Sequence, residues 1–285
     1  MRKVAFVKLS ELEAVANDIR QDIITMVAEA GSGHPGGSLS IADIMAALYF
    51  GGFLKHDPSN PQDETRDRFI LSKGHAAPAL YATLAQAGYF PHEEIKTLRK
   101  LGSRLQGHPD SKKLPGVEVS TGSLGQGLSI ATGLALGLRL EGSSSRVVTI
   151  LGDGECQEGQ VWEALMFAAQ QKLSNLIALV DHNTLQIDGS LSDICDVSCL
   201  ADKLRAFNWE VYEFNGNDMQ EVVETLTHAF KDTHAAPVAL VAHTTKGCGV
   251  SFMEGLASWH GKAPSADQRD EALSELASKK EALCG

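Results

Sequence analysis

The sequence predicts an α/β fold, a parallel sheet with helices on both faces, and three observations carry that prediction. Apolar runs of strand length alternate with stretches of helical periodicity, in the order strand, helix, strand. Glycine-rich turns punctuate the order where one element hands over to the next. The composition, 43% hydrophobic over 285 residues, can bury a substantial core.

Taken in order, residues 9–30 carry Leu12, Val15, Ala16, Ile19, Ile23, Ile24 and Val27 at the spacing of one helical face. Gly31-Ser32-Gly33-His34-Pro35-Gly36-Gly37 is too rich in glycine and proline to continue that helix, and Ser40 is expected to cap the next one over 41–50. Residues 69–71 read as a short strand leading into Ser72-Lys73-Gly74-His75, with a helix over 78–87 that opens on proline. The stretch 89–119 is polar and irregular apart from a short helix expected at 92–101. It holds the loop Gly107-His108-Pro109.

Thr121-Gly122-Ser123-Leu124-Gly125-Gln126-Gly127 opens a helix to about Leu140, whose Ala131, Gly133, Ala135 and Gly137 permit close approach of another helix or a second subunit. Strands at 147–151 and 176–180 flank a helix at 160–172, and strands at 210–214 and 238–241 flank one at 219–231. No internal repeat or low-complexity linker interrupts the pattern. The expected organisation is one α/β domain over 1–265, trailed by a charged helical tail over 266–285 that reads as a solvated helix.

Charge and composition exclude several classes of function. A net charge of −11 argues against nucleic acid as the main partner while leaving room for a local positive pocket. No apolar stretch is long enough to span a membrane and no secretion signal is visible, so a cytoplasmic location is expected. Cys156, Cys195, Cys199, Cys248 and Cys284 are odd in number and lack zinc-site pairing, as in a reduced intracellular protein.

Gly152-Asp153-Gly154-Glu155 follows the run 147–151. A strand ending in this way delivers a carboxylate at its C-terminal edge, and the glycines let a phosphate approach the backbone near the positive end of the following helix. The strand 176–180 brings the Asn183 amide to the same edge, where ligands of open α/β sheets bind. One carboxylate, one amide and a carbonyl suit Mg2+ or Ca2+ shared with phosphate oxygens. Alone, Gly-Asp-Gly is also a common turn. With the run before it and Asp181-His182-Asn183-Thr184-Leu185-Gln186-Ile187-Asp188-Gly189 after it, the register resembles the thiamine diphosphate motif.

His34, His75 and His108 stand in glycine-rich or proline-rich loops, and His260 follows Trp259. Singly, each reads as a structural or solvated residue. Converging on one pocket, they would suit proton exchange among sugar hydroxyls. A three-histidine zinc site is the competing reading, weakened because no His-x-x-x-His spacing puts two ligands on one helical face.

These motifs together resemble the N-terminal part of a transketolase. The resemblance runs through Ser32-Gly33-His34-Pro35-Gly36, Leu71-Ser72-Lys73-Gly74-His75-Ala76, Gly107-His108-Pro109, Thr121 to Gly127, the Gly-Asp-Gly to Asn pair, and Ser258-Trp259-His260-Gly261-Lys262. It implies that His34, His108 and His260 act on the ketose, and that His75, Lys246 and His260 lie by the diphosphate of thiamine diphosphate. It puts Gly122, Ser123 and Leu124 against the cofactor rings and Gly154 on the diphosphate. Asp153, Asn183 and the Leu185 carbonyl would hold Mg2+ or Ca2+, with Glu158 at a subunit interface near the cofactor.

The later part of such enzymes supplies the glutamate that activates the cofactor's aminopyrimidine and the basic residues that hold the sugar phosphate. The resemblance therefore implies the N-terminal subunit of a split transketolase, inactive alone and serving pentose phosphate metabolism. A separate C-terminal subunit would join it, with two copies of each in the assembly. Deoxyxylulose phosphate synthesis on the same fold, and a non-catalytic binding protein, stand as alternatives. The Ser-Gly-His-Pro and Gly-His-Pro loops favour transketolase over the first, and the intact Asp153, Asn183 and histidines weigh against the second.

Overall fold

The computed structural model describes residues 8–231 and 233–284. In chain order the elements are helices α1 (Leu9–Ala30), α2 (Gly36–Leu39) and α3 (Ala42–Phe50), strand β1 (Arg68–Leu71), and helices α4 (Ala77–Gln86) and α5 (Gln126–Leu140). Strand β2 (Val147–Gly152), α6 (Gly159–Gln170), β3 (Leu176–His182), a small hairpin of β4 (Leu185–Gln186) and β5 (Gly189–Ser190), and α7 (Leu191–Ile194) follow. The chain continues through α8 (Leu200–Ala206), β6 (Glu210–Asn215), α9 (Met219–Ala229), β7 (Val238–His243) and α10 (Ala266–Cys284).

Among the described residues five strands form one sheet in the order β1-β2-β3-β7-β6, and every pair in it is parallel. Successive side chains of a strand point to opposite faces, and here both faces are buried. Val148 and Ile150 of β2, with Ile177 and Leu179 of β3, join Ile19, Ile44, Leu80 and Leu226 of α1, α3, α4 and α9 in one core. Val147, Leu151, Leu176 and Val180 join Leu128, Leu165 and Leu204 of α5, α6 and α8 in the other. The predicted class is therefore the observed one.

Several local expectations need correction. Ser40 does not cap α3: Ile41 stands at the cap position without a side-chain bond, and the Ser40 hydroxyl donates to Asp181 instead. The helix expected at 92–101 is a 3-10 turn over His92–Thr97, because Leu98 turns extended to bury its side chain, 1% exposed. A 3-10 turn, Gly154–Gln157, which the sequence did not predict, joins β2 to α6, and that helix starts at Gly159, within one residue of the expected 160, and ends at Gln170 rather than at 172. The hairpin β4–β5 and helix α8 were not foreseen.

The C-terminal helix is packed rather than solvated. Ala272 and Leu276, one helical turn apart, are both 0% exposed and belong to the first core, and Lys280 pairs with Asp18 of α1. Leu276→Ala should therefore lower the unfolding free energy by about 2–5 kcal/mol in urea titrations, the usual result of emptying a core leucine site. A loss within about 0.5 kcal/mol would mark α10 as a detachable appendage.

Candidate functional site

The C-terminal ends of β1, β2, β3 and β7 converge on one polar edge, and its centre is a buried ion pair. Lys73, just past β1, and Asp181, on β3, are 1% and 0% exposed, with Nζ to Oδ2 at 2.6 Å. Lys73 also donates to the Gly37 carbonyl at 2.6 Å. Asp181 Oδ2 further accepts the Ser40 hydroxyl and the Asn183 amide, each at 2.8 Å, while Oδ1 accepts the Thr244 hydroxyl. Burial alone would push this carboxyl up, but the Lys73 charge and the Thr244 and Ser40 donors outweigh it and hold it below the ordinary aspartate range.

Beside it, Asp153 is 2% exposed and accepts the Gly154 and Thr184 backbone N–H groups at 2.8 and 2.6 Å. Burial and the neighbouring Asp181 push its carboxyl up to about 7. The Asn183 amide donates to Asp181, which leaves its oxygen facing away from that carboxylate, where it takes the Leu185 N–H at 3.2 Å. The Leu185 carbonyl accepts the Lys246 ammonium at 2.9 Å. Burial and the nearby Lys73 push Lys246 down to about 8. Under the floor, Glu155 accepts the Ser72 hydroxyl and the Gly125 and Gly152 N–H groups, tying β1, β2 and the loop before α5 together.

The histidines complete the opposite wall. Ring centroids of His34, His75 and His260 lie 5.1–5.3 Å apart in every pairing. Lys246 donates to His260 Nδ1 at 3.0 Å, which assigns the proton of the neutral ring to Nε2. Burial, with Lys246 and His34 nearby, pushes His260 down to about 3. Burial, with Arg99 and His108 nearby, pushes His34 down to about 4. His75 is driven well below its ordinary range by burial and Lys73, and His108 is lowered by burial and Arg99. At neutral pH these rings are uncharged donors and acceptors. Gly122, at φ +141°, lies against the His108 ring, where a Cβ would come within 2.9 Å.

A cavity of about 360 Å3 is lined by His34, His75, His108, Gly122, Leu124, Asp153, Gly154, Glu158, Asn183, Leu185, Lys246 and His260. Of the residues singled out from the sequence, Ser123 alone is missing from the lining and is exposed. Sequence reasoning did not single out Lys73, Glu155 and Asp181 as site residues, although each stands inside a quoted motif. It also missed that the hairpin residues Gln186, Ile187 and Asp188 build a wall. Trp259 packs rather than facing the cavity, 5% exposed with its indole N–H on the Phe252 carbonyl.

The donor set fits a hard cation held together with an anionic ligand. Among the described residues no group of three or more His, Cys, Asp and Glu side chains is arranged to hold a metal ion, which leaves the three-histidine zinc reading without support. Asp153, Asn183 and Leu185, which line the same cavity, offer one carboxylate, one amide and one carbonyl, so a divalent cation would need further oxygens from the ligand. A lysine ammonium already rests on the Leu185 carbonyl, as a cation would. The buried His34 Nδ1 has no hydrogen-bond partner among the described residues, which leaves it available to a ligand.

The depressed histidines make stability depend on pH with a definite sign. His34 is lowered to about 4 in the folded chain, so between about 4 and about 6.5 the unfolded chain binds more protons. Stability contributed by its neutral form is therefore complete above about 6.5 and is lost as the pH falls toward 4. The drop in urea midpoint between pH 7 and pH 5 should be smaller in His34→Gln than in the parent chain. An unchanged drop would show that His34 is not held neutral by its surroundings.

The family model described as "Transketolase, thiamine diphosphate binding domain" matches residues 12–282. The chain is 40% identical over 276 residues to an apulose-4-phosphate transketolase subunit of Phocaeicola vulgatus, covering 97% of each chain. It is 43% identical to the 6-deoxy-6-sulfo-D-fructose transketolase subunit SqwG of a Clostridium species, covering 93% of this chain and 96% of that one. Human transketolase is 40% identical over 275 residues, but those cover only 43% of its length. The Campylobacter jejuni transketolase structure superposes with a TM-score of 0.88 at 32% identity, over 97% of this chain and 46% of that one. The chain belongs to the transketolase family and carries its thiamine diphosphate binding domain.

Proposed function

We propose that the chain is the cofactor-holding subunit of a two-polypeptide transketolase that moves a two-carbon ketol unit from a ketose phosphate to an aldose phosphate in the cytoplasm. The observation that carries the reading is the meeting, in one cavity, of the Asp153, Asn183 and Leu185 oxygens with a cluster of histidines kept neutral. Near full-length similarity to proteins named as transketolase subunits supports the division into two polypeptides.

When bound, thiamine diphosphate supplies the carbon nucleophile that cleaves and remakes a carbon–carbon bond next to a carbonyl. Asp153, Asn183 and the Leu185 carbonyl would hold Mg2+, or Ca2+ in its place, while Lys246, His75, His260 and Gly154 would hold the diphosphate. Gly122 and Leu124, which line the cavity, would face the cofactor rings. His34, His108 and His260 orient the sugar hydroxyls and hold or accept a proton there, a role that needs rings uncharged at neutral pH. Glu158, at the mouth of the cavity, would meet the second subunit. That subunit would supply the glutamate and the basic residues for the sugar phosphate, in an assembly of two copies of each.

Ketol transfer should appear only when this chain is mixed with its partner, thiamine diphosphate and Mg2+. Transfer by this chain alone would sink the two-polypeptide reading. Asp153→Ala should weaken cofactor binding at least about 10-fold while the circular dichroism spectrum stays that of the parent. Cofactor affinity equal to the parent's would remove Asp153 from the metal site.

A further inference from the structure

One buried ion pair outside the cavity grips the loop that carries Lys246 from both sides. Arg20 of α1 and Asp43 of α3 are 7% and 6% exposed and meet at two points, Nη1 to Oδ1 at 3.1 Å and Nη2 to Oδ2. Each partner extends an arm to the loop. Arg20 Nε donates to the Cys248 carbonyl at 3.0 Å. Asp43 Oδ2 accepts Asn217 Nδ2 at 3.0 Å, and Asn217 Oδ1 in turn accepts the Thr245 N–H at 2.8 Å. Lys246 lies between the two gripped residues.

The loop is pressed close onto this pair. At Gly249, φ +99°, a Cβ would come within 2.7 Å of Arg20 Cδ, so only glycine lets the backbone lie on the arginine stem. From outside, Lys279 of α10 donates to the Gly249 carbonyl at 3.0 Å. The Lys246 stem has little freedom to compensate for a displaced backbone. It is 2% exposed, its Cγ lies 3.0 Å from where a Cβ on Gly36 would stand, and the Gly247 N–H is tied to the Gly36 carbonyl at 3.0 Å. A shift of the loop is therefore passed to the ammonium.

We propose that Arg20 is a positioning residue for the diphosphate: through Asp43, Asn217 and Cys248 it sets the backbone on both sides of Lys246 and so the place of the ammonium. The proposal rests on the transketolase reading of the cavity. Arg20 does not line that cavity and acts only through Lys246. A guanidinium can hold a carboxylate with its two Nη groups while its Nε serves a carbonyl, whereas a lysine ammonium in its place can pair with Asp43 but cannot span both.

The test is calorimetric titration of thiamine diphosphate with Mg2+ into the two-subunit complex, using the parent, Arg20→Lys, Lys246→Met and the double variant. Arg20→Lys should weaken binding about 10-fold or more, as loss of a supporting contact to a ligating group does. In the Lys246→Met background the same change should cost less than about 2-fold, because the two residues act as one unit. Asn217→Ala, which cuts the other arm and leaves the ion pair intact, should repeat the pattern and carries the test if Arg20→Lys does not fold. Parent-like affinity in Arg20→Lys, or the same loss in both backgrounds, overturns the proposal, since general destabilisation would not depend on Lys246. No binding by the parent complex would instead overturn the reading of the cavity.

Discussion

The Lys73–Asp181 pair is the contact on which the polar edge of the sheet depends. A charge removed from water is costly, and a pair buried this completely persists only when both members are further hydrogen-bonded. Here the Gly37 carbonyl, Ser40, Asn183 and Thr244 provide those bonds, and each belongs to a different part of the chain. Satisfying one carboxylate thus brings together the turn α2, the end of β1, the end of β3 and the exit from β7. It also decides which way the Asn183 amide faces.

Around that pair the site sorts its charge into layers. The innermost carboxylate is neutralised by Lys73. Asp153, next to it, has backbone donors but no cation of its own within hydrogen-bond reach among the described residues, and its carboxyl is accordingly pushed up to about 7. The far wall, where Lys246 and Lys73 lie close to the imidazoles, is kept free of additional positive charge because burial and those cations favour the neutral rings. The result is a cavity with one under-neutralised carboxylate on one side and neutral hydrogen-bonding rings on the other. Such a gradient suits a ligand that is itself a metal and anion pair.

What the sequence disclosed depended on how local the signal was. The strands stand out as apolar runs, and Asp153, Asn183 and Lys246 follow strand ends, so both could be read along the chain. The partner of Lys73 lies 108 residues away and that of Arg20, on the Lys246 loop, 228 away, distances across which no pattern on the chain specifies a contact. Ser40 has the right residue type for a helix cap, yet a buried carboxylate competes for its hydroxyl and wins. Helix α8 begins after Cys199 in a left-handed conformation and has no side-chain cap, so the usual start signal is absent. The charged look of α10 hid a narrow apolar seam, Ala272 and Leu276 with the partly buried Leu273 beside them.

Two glycines of α5, Gly133 and Gly137, are residues that the fold of this chain does not explain. Ala131 and Ala135 are buried against the second core, but a Cβ on Gly133 or Gly137 would meet no atom within 4 Å among the described residues. Each glycine in a helix interior sacrifices about 0.8–1.0 kcal/mol relative to alanine. The sequence of α5 is therefore not the one that would make this polypeptide most stable by itself. A variant selected for heat resistance in isolation would be free to discard those glycines, so such a screen would wear down whatever feature outside the folded chain they serve.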